Sequence, residues 1–388
     1  MDADRYRADR ERRRLGSITA YCGPTHSGKT KKLEADVERA QRQGRAVERV
    51  AAETPLASQF DRLDPRTELV AIDDGQRMDP GLVPAANRLA TTHRVDVVVA
   101  GWELDYTGQP QGPMPDLMCS ADTALKLDDG VCAQPGCRNL ASRTQRFSAG
   151  NGERERFLPV CRRHHSPTPR PYTFQEHWFD EPAGSLEVIA GCMFSGKTQE
   201  LIRRLDQERY AGAAIQAFKP ALDDRYALEA VASHRDIRFP AIAVPSVQDL
   251  RNQLRADTRV IGIDEAQFFE EAIVDLLEEL ANAGRHLVVA GLELDFLARP
   301  FGPMPELMAR ADRLTKLQAS CQYPGCGSRQ ATRTQRLIDG RPASPDSPLV
   351  VIGGAATYQA RCRHQHETGP VPEREPEPAA VREELSDL

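Results

Sequence analysis

The sequence lacks the features that membrane insertion, export and binding to polyanions require. It contains no apolar run long enough to span a bilayer. Residues 1–14 carry six arginines and four acidic residues, without the apolar core that a signal peptide needs. The net charge of −6 at pH 7 gives no overall attraction to nucleic acid or anionic lipid. These absences favour a cytoplasmic protein that has neither a membrane nor a nucleic-acid partner.

A glycine-rich loop organises the second half of the chain. Residues 186–190 form an apolar run that predicts a buried strand, and residues 199–205 have helical spacing. The segment between them is Gly191-Cys192-Met193-Phe194-Ser195-Gly196-Lys197-Thr198. In a phosphate-binding loop of this pattern, backbone N–H groups converge on the phosphates, the lysine reaches the β- and γ-phosphates, and the threonine hydroxyl ligates Mg²⁺. The alternative, a glycine turn beside an unrelated Lys-Thr pair, does not account for the flanking strand and helix.

The chain contains the same series of motifs twice. Segments of the first half recur in the second half in the same order: 97–106 as 287–296, 112–115 as 302–305, and 143–146 as 333–336. The first half also has its own, degenerate phosphate loop, which includes Gly23, Gly28, Lys29 and Thr30. Because the order of features is the same, the sequence predicts a tandem duplication.

Composition divides the chain into five predicted parts. Four prolines between positions 167 and 182 indicate a linker, and the residues after Gly369 include four prolines and six acidic residues. We therefore expect a charged leader, a first copy, a linker, a second copy and a disordered acidic tail, at residues 1–16, 17–165, 166–185, 186–368 and 369–388. Apolar strands such as 260–263 alternate with helices such as 270–283, which indicates an α/β fold with a mainly parallel sheet covered by helices.

An acidic pair follows a predicted strand of the second copy. The apolar residues 260–263 end in Asp264-Glu265, and ligands bind beyond the carboxyl ends of parallel strands. A P-loop enzyme places its Mg²⁺-handling aspartate at such a position, and Glu265 beside it is suited to accept a proton from a substrate hydroxyl. Two solvated acids at a strand end are the alternative, and the phosphate loop upstream argues against it.

Six of the nine cysteines repeat with the spacing of metal ligands. They are Cys132, Cys137 and Cys161 in the first copy and Cys321, Cys326 and Cys362 in the second, with histidines close to the third cysteine of each set. Three thiolates and an imidazole suit a closed, structural Zn²⁺ site. Free buried cysteines are the alternative, but they would not explain why the spacing occurs twice. Metal-binding cysteines also favour a reducing, cytoplasmic setting.

Residues 186–366 resemble the cellular-type (type II) thymidine kinases, and residues 18–165 resemble them more weakly. Six motifs carry the resemblance, at residues 191–198, 218–226, 233–234, 263–269, 300–305 and 352–358. It implies a P-loop NTPase-like sheet with helices on both faces and a small zinc-ribbon and lasso subdomain, present twice. It also implies transfer of a phosphoryl group from ATP to the 5′-hydroxyl of thymidine.

The resemblance assigns roles to individual residues of the second copy. Glu265 is the general base, and the groups that bind ATP and Mg²⁺ are the phosphate loop with Asp223, Arg225, Asp264 and Gln267. The thymidine site is lined by Leu292, Phe296, Phe301, Ile352, Gly353, Gly354 and Tyr358. Ordinary core packing remains the alternative for the apolar members of this set, most of all for Leu292.

The resemblance also implies the fourth zinc ligand and the assembly. Family members place this ligand three residues after the third cysteine, which selects His164 in the first copy. Position 365 is glutamine in the second copy, so His366, or alternatively His364, is expected to serve there. Since family members assemble as tetramers, a homodimer of this chain is expected to imitate four domains.

The first copy lacks parts of the predicted apparatus. Lys29 and Asp73 are 44 positions apart, whereas Lys197 and Asp264 are 67 apart, so the Asp-x-Arg segment is missing. A shorter stretch between the second and third cysteines removes the Gly-Gly…Tyr loop, and Asp74 stands where the second copy has its glutamate. We therefore expect that the first copy binds nucleotide weakly or not at all and does not phosphorylate thymidine.

Two other functions compete with thymidine phosphorylation. One is a deoxynucleoside kinase with a different base preference, because one sequence does not define the shape of the pocket. The other is a nucleotide-binding regulatory protein whose zinc ribbons contact nucleic acid. No basic patch accompanies the ribbon of the second copy, and a pure binding protein has no use for the set that includes Asp223, Arg225, Glu265 and Tyr358.

Overall fold

The structure is a computed structural model that describes residues 15–52, 63–127, 130–148, 155–171, 184–221, 230–232, 238–349 and 356–370. Most of the expected leader, linker and tail, at residues 1–14, 172–183 and 371–388, lies outside these ranges. Within the described ranges, no helix combines the length and apolarity needed to cross a membrane.

The first copy is built on a parallel sheet. Its strands are β1 (Ile18–Cys22), β2 (Val47–Val50), β3 (Leu69–Ile72), β4 (Asp96–Ala100) and β5 (Thr123–Lys126), in the spatial order β2-β3-β4-β1-β5. Its helices are α1 (Lys29–Arg42), α2 (Leu82–Arg88) and α3 (Met114–Ser120). A ribbon follows, formed by β6 (Arg143–Ser148), β7 (Arg156–Val160) and β8 (Arg170–Pro171). β3 is buried along its whole length, as expected of a parallel strand covered on both faces.

The second copy has a larger sheet of the same kind. The strands of this copy are β9 (Ser185–Gly191), β10 (Ile215–Pro220), β11 (Ala230–Ala232), β12 (Arg238–Pro240), β13 (Ile242–Val244), β14 (Val260–Ile263), β15 (His286–Gly291) and β16 (Arg313–Leu317). β11 and β12 form a separate antiparallel pair, and the other six strands form the sheet. Its helices are α4 (Lys197–Tyr210), α5 (Val247–Gln253), α6 (Ala272–Asn282) and α7 (Met304–Arg310). The ribbon is formed by β17 (Ala331–Ile338), β18 (Arg341–Pro342) and β19 (Ala356–Cys362).

The two sheets share one order of strands. The second sheet is parallel throughout, with the order β13-β10-β14-β15-β9-β16. Its last five strands correspond to β2-β3-β4-β1-β5, and β13 is an additional edge strand within the stretch where the second copy is longer. The predicted α/β fold with mainly parallel sheets is thus confirmed, whereas the domain bounds and the origin by duplication stay predictions.

The boundary between the copies is apolar at its centre. Helix α3 of the first copy packs against α7 of the second, and Cys119 Sγ lies 3.6 Å from Met308 Sδ. Buried residues of both copies, including Leu117 and Leu307, belong to one continuous apolar cluster. Apolar centres of this kind are typical of permanent interfaces, so each copy stabilises the other.

Two matching ion-pair clusters join the copies. Arg162 Nε donates to Asp312 Oδ2 at 2.7 Å, and Arg143 Nη1 donates to Asp312 Oδ1 at 3.3 Å. In the opposite direction, Arg363 Nε donates to Asp122 Oδ2 at 2.9 Å. Burial opposes the ionisation of Asp312, but Arg162 and Arg143 outweigh it and lower the pKa of this carboxyl to about 2. Each copy therefore directs arginines of its ribbon onto a buried aspartate of the other copy.

Candidate active site

The phosphate loop of the second copy connects β9 to α4. β9 ends at Gly191 and α4 begins at Lys197, so the N–H groups of the loop and the helix N-terminus meet at the carboxyl edge of the sheet. Phe194 and Gly196 have positive φ angles of 65° and 89°, and for Phe194 this is a strained conformation of the type that concentrates at functional sites. Lys197 is buried, and its Nζ donates to the carbonyl oxygen of Cys192 at 3.0 Å.

The acidic pair lies next to this loop. Asp264 directly follows β14, and Thr198 Oγ1 donates to its Oδ2 at 3.1 Å. Burial, together with the neighbouring charge of Glu265, raises the pKa of Asp264 to about 7. A bound divalent cation favours the charged carboxylate, and the hydroxyl and carboxylate oxygens supplied here are ligands that Mg²⁺ accepts. Thr198 and Asp264 therefore fit a Mg²⁺ ion held beside the phosphate loop.

The position of Glu265 is fixed by its backbone conformation and by a hydrogen bond to its side chain. Its φ angle is 53°, and its Oε2 accepts a hydrogen bond of 2.6 Å from Gln267 Nε2. Gln267 is itself fixed, because its Oε1 accepts from Leu292 N at 2.9 Å. A Cβ atom on Gly302 would stand 2.5 Å from the carbonyl oxygen of Gln267, so only glycine fits here. Gln267 supports the carboxylate of Glu265, and its expected place among the ATP-binding and Mg²⁺-binding residues stays a prediction.

The apolar residues of the expected thymidine site are partly brought together. Phe296 and Phe301 are buried, and Phe301 meets Phe268 edge to face with ring centroids 5.5 Å apart. Leu292 and Tyr358 are half-buried. The expected site residues Ile352, Gly353, Gly354, Asp223 and Arg225 lie outside the described residues.

Arg336 contacts a residue of the expected thymidine site, and sequence reasoning did not single it out. Its side chain is fully buried, its Cζ lies 3.4 Å from the ring centroid of Phe296, and its Nη1 donates to the carbonyl oxygen of Pro348 at 2.7 Å. It also pairs with Tyr358 across the ribbon. The repeated Arg-Thr-Gln-Arg segment was the signal available in the sequence, but it marked only the repeat.

The first copy retains a phosphate loop of nearly the same geometry. Gly28 has a φ angle of 86°, as Gly196 does at the matching position. Lys29 is buried, and its Nζ donates to the carbonyl oxygens of Gly23 at 2.9 Å and Pro24 at 2.6 Å. Thr30 is exposed. The bond from Lys29 to Pro24 matches the bond from Lys197 to Cys192 in the second copy, so the position of the lysine does not distinguish the two copies.

The first copy also retains the support for its shorter acid. Gln76 Nε2 donates to Asp74 Oδ1 at 3.0 Å, and Trp102 N donates to Gln76 Oε1 at 2.9 Å. The Asp74 side chain is 51% exposed, and Arg77 Nη1 lies 3.7 Å from its Oδ2. The arrangement of glutamine and acid is therefore the same in both copies, but in the first copy the carboxylate is shorter and faces solvent.

An aromatic cluster stands in the first copy where the second has its expected thymidine site. Phe157 lies opposite Arg146 in the ribbon, as Tyr358 lies opposite Arg336. Phe157 contacts Trp102 and Tyr106, with ring centroids 6.4 Å and 6.1 Å apart. This corrects the expectation that the shorter loop removes the tyrosine position, because strand pairing keeps an aromatic residue there. Trp102, Tyr106 and Phe157 thus stand at the positions of Leu292, Phe296 and Tyr358 in the second copy.

The cysteine cluster of the first copy has the shape of a zinc site. Ligand atoms of Cys132, Cys137, Cys161 and His164 lie within 4.8 Å of one another. His164 Nδ1 is 3.3 Å from the sulfurs of Cys132 and Cys161, and the sulfurs of Cys137 and Cys161 are 3.9 Å apart. Zn–S bonds of about 2.3 Å give tetrahedral edges of about 3.8 Å, so these residues fit a closed Zn²⁺ site.

The second cluster contains three thiols and neither of the expected histidines. Cys321, Cys326 and Cys362 lie within 4.8 Å of one another, and no His, Asp or Glu of the described residues joins them. His366 Nε2 lies 2.9 Å from the carbonyl oxygen of Phe296, and His364 Nε2 lies 2.9 Å from that of Gly16. The three sulfurs suit Zn²⁺, but the fourth ligand expected from His366 or His364 is not in place.

A parallel sheet with a phosphate loop, a Thr-Asp pair and an adjacent glutamate defines a P-loop phosphotransferase. The family model described as thymidine kinase matches residues 46–165 and 184–366. The chain therefore belongs to the thymidine kinase family and is a kinase. Proteins of this family phosphorylate nucleosides and use thymidine and ATP as substrates. The matched part of the first copy begins after its phosphate loop.

Proposed function

We propose that the second copy transfers the γ-phosphoryl group of ATP to the 5′-hydroxyl of thymidine. The observation that carries this proposal is one continuous chain of hydrogen bonds. It runs from Thr198 of the phosphate loop through Asp264 and Glu265 to Gln267 and the backbone of Leu292. This chain of hydrogen bonds supports a reaction in which the donor, the metal and the acceptor hydroxyl bind side by side, as in-line transfer requires.

The proposed reaction assigns one step to each group. The loop N–H groups and Lys197 hold the phosphates of ATP, and Thr198 and Asp264 hold Mg²⁺. When bound, Mg²⁺ neutralises charge on the phosphates during transfer. Glu265 accepts the proton of the 5′-hydroxyl. The 5′-oxygen of the nucleoside bonds to the γ-phosphorus, and the bond between the γ-phosphorus and ADP breaks. Gln267 is a positioning residue for Glu265.

The remaining groups follow from the family resemblance. Asp223 and Arg225 are proposed to manage phosphate charge, and the segment from Ile352 to Gly354 is proposed to hold the base. Phe296, Phe301 and Tyr358 would pack around the nucleoside. The first copy is proposed to be inactive because its acid, Asp74, is shorter and exposed and because it lacks the Asp-x-Arg segment.

The proposed assembly is a homodimer. The two copies already meet through matched aspartate–arginine clusters within one chain, so a dimer would present four kinase-like units. Light scattering is expected to give twice the mass of one chain, and a stable monomer would remove this part of the proposal.

The matched variants Glu265→Gln and Asp74→Asn test which copy carries the base. Each substitution removes the charge of a carboxylate that accepts a hydrogen bond from a glutamine side chain. Transfer of labelled phosphate from ATP to a panel of nucleosides is measured for each full-length variant. Glu265→Gln is expected to lower turnover with thymidine by about 10²–10⁴-fold while ATP binding is retained, and Asp74→Asn is expected to match the unmodified protein.

The same assay contains the outcomes that contradict the proposal. Undiminished turnover in Glu265→Gln would eliminate this residue as the base. Loss of turnover in Asp74→Asn would assign catalysis to the first copy. Preference for another nucleoside would leave the kinase but change its substrate, and phosphate transfer to no nucleoside would favour a binding protein.

A further inference from the structure

The two metal clusters differ at one equivalent position. In each copy the third cysteine is followed by a short 3₁₀ turn, Arg162–His164 in the first copy and Arg363–Gln365 in the second. Strand pairing puts the turns in register, because Arg143 lies opposite Val160 and Arg333 lies opposite Arg361. The residue that corresponds to the ligand His164 is therefore Gln365.

The histidine after this position has a different task in both copies. His165 Nε2 lies 2.9 Å from the carbonyl oxygen of Tyr106, and His366 Nε2 lies 2.9 Å from that of Phe296. Tyr106 and Phe296 occupy matching places in the repeated segments. His366 is thus the counterpart of His165, which ties the ribbon to the sheet loop and is not a member of the metal cluster of its own copy.

The glutamine does not replace the missing imidazole. Zn²⁺ is bound in proteins by thiolate, imidazole and carboxylate, and a neutral amide oxygen suits harder cations. The second cluster is also the more accessible one. Cys321 and Cys326 are both partly exposed, whereas in the first copy Cys132 is buried and only Cys137 is partly exposed.

We propose that the second cluster holds Zn²⁺ through three thiolates and leaves the fourth coordination position to water or another small ligand from solution. The first cluster is closed by His164. A Zn²⁺ ion with three protein ligands keeps its fourth position open to water or another ligand, whereas four protein ligands close the site. The two zinc ions of one chain therefore differ in how fast they are released and in whether they accept an outside ligand.

Release of zinc to a chromogenic chelator tests the proposal in the full-length protein. The unmodified chain is expected to carry two zinc ions and to release them in two phases of equal amplitude, at rates that differ by at least about tenfold. Gln365→His is expected to remove the fast phase, and His164→Gln is expected to remove the slow one. One zinc ion per chain, a single phase, or a fast phase that persists in Gln365→His would overturn the proposal.

Cobalt replacement examines the open position itself. Imidazole added to the Co²⁺-loaded protein is expected to change the visible spectrum of one of the two metal ions, because it enters the vacant coordination position. In Gln365→His the spectrum is expected to be insensitive to imidazole. An insensitive spectrum in the unmodified protein would show that a protein group already closes the second site and would overturn the inference.

Discussion

Replacing Asp312 by asparagine should destabilise the whole chain, because this carboxylate joins the two copies. Asp312 accepts from Arg162 and Arg143 of the first copy and from the backbone N–H of Leu186 in its own copy. Asparagine has nearly the same shape but no charge. Both guanidinium groups would therefore remain buried at the boundary with Glu278 as their remaining counter-ion.

The size of this effect can be bounded from two sides. Breaking a buried ion pair by changing one partner costs about 3–5 kcal/mol. A carboxyl whose pKa falls from 3.8 to about 2 on folding contributes roughly 2 kcal/mol at neutral pH. We therefore expect Asp312→Asn to lower the free energy of unfolding by about 2–5 kcal/mol.

Urea denaturation followed by circular dichroism measures the loss, with Glu279→Gln as the matched control. Glu279 and Arg251 form an ion pair of 2.6 Å that is exposed on both sides, and exposed pairs contribute at most about 1 kcal/mol. The Arg162–Asp312 and Arg251–Glu279 ion pairs have nearly the same length, 2.7 Å and 2.6 Å, and differ in burial. Equal and small effects of the two substitutions would refute the reasoning.

The remaining predictions concern pH and the pocket. Because the folded-state pKa of Asp312 is lowered to about 2, its contribution is complete above about pH 4 and is lost as pH falls towards 2, so Asp312→Asn should flatten acid denaturation in this window. Gly302→Ala and Gly112→Ala should each cost at least about 1–2 kcal/mol, since φ is positive at both positions and the added Cβ would meet a backbone carbonyl oxygen at 2.5 Å and 2.2 Å, but only Gly302→Ala should lower kcat, by about tenfold to a hundredfold. Equal kcat losses would contradict the assignment of the active copy. Arg336→Met removes a cation stacked on Phe296 and should raise KM for thymidine about 2- to 30-fold without changing KM for ATP, and an unchanged KM would place Arg336 outside the pocket.

The parts of the site that are local in sequence were predictable. The phosphate loop lies between the predicted strand and helix because strand, loop and helix are continuous in the chain. Asp264 and Glu265 follow β14 for the same reason. The order of motifs also predicted two sheets of one kind.

The supporting contacts depend on distant partners and were not predictable. Gln267 was expected to bind ATP or Mg²⁺, but its role becomes visible only when Leu292 N and Glu265 are brought to its two ends. Spacing did not decide between His364 and His366. In the structure neither joins the three thiols, because His366, like its counterpart His165, contacts a carbonyl oxygen of the sheet loop and His364 lies beside the carbonyl oxygen of Gly16.

The contacts at the boundary between the copies were even less predictable from the sequence. Arg162 and Asp312 are 150 positions apart, and no local pattern marks either as a partner of the other. The aromatic cluster of the first copy also depends on contacts between residues that are distant in sequence. A gap in sequence suggested that the tyrosine position was lost, whereas strand pairing places Phe157 there.

A crystal structure with thymidine and a non-hydrolysable ATP analogue would test the central claim most directly. The account predicts the triphosphate on residues 191–198 and the thymidine 5′-hydroxyl within hydrogen-bond distance of Glu265, with the rings of Trp102, Tyr106 and Phe157 undisturbed. Thymidine bound beside Asp74, with the pocket next to Glu265 empty, would contradict it.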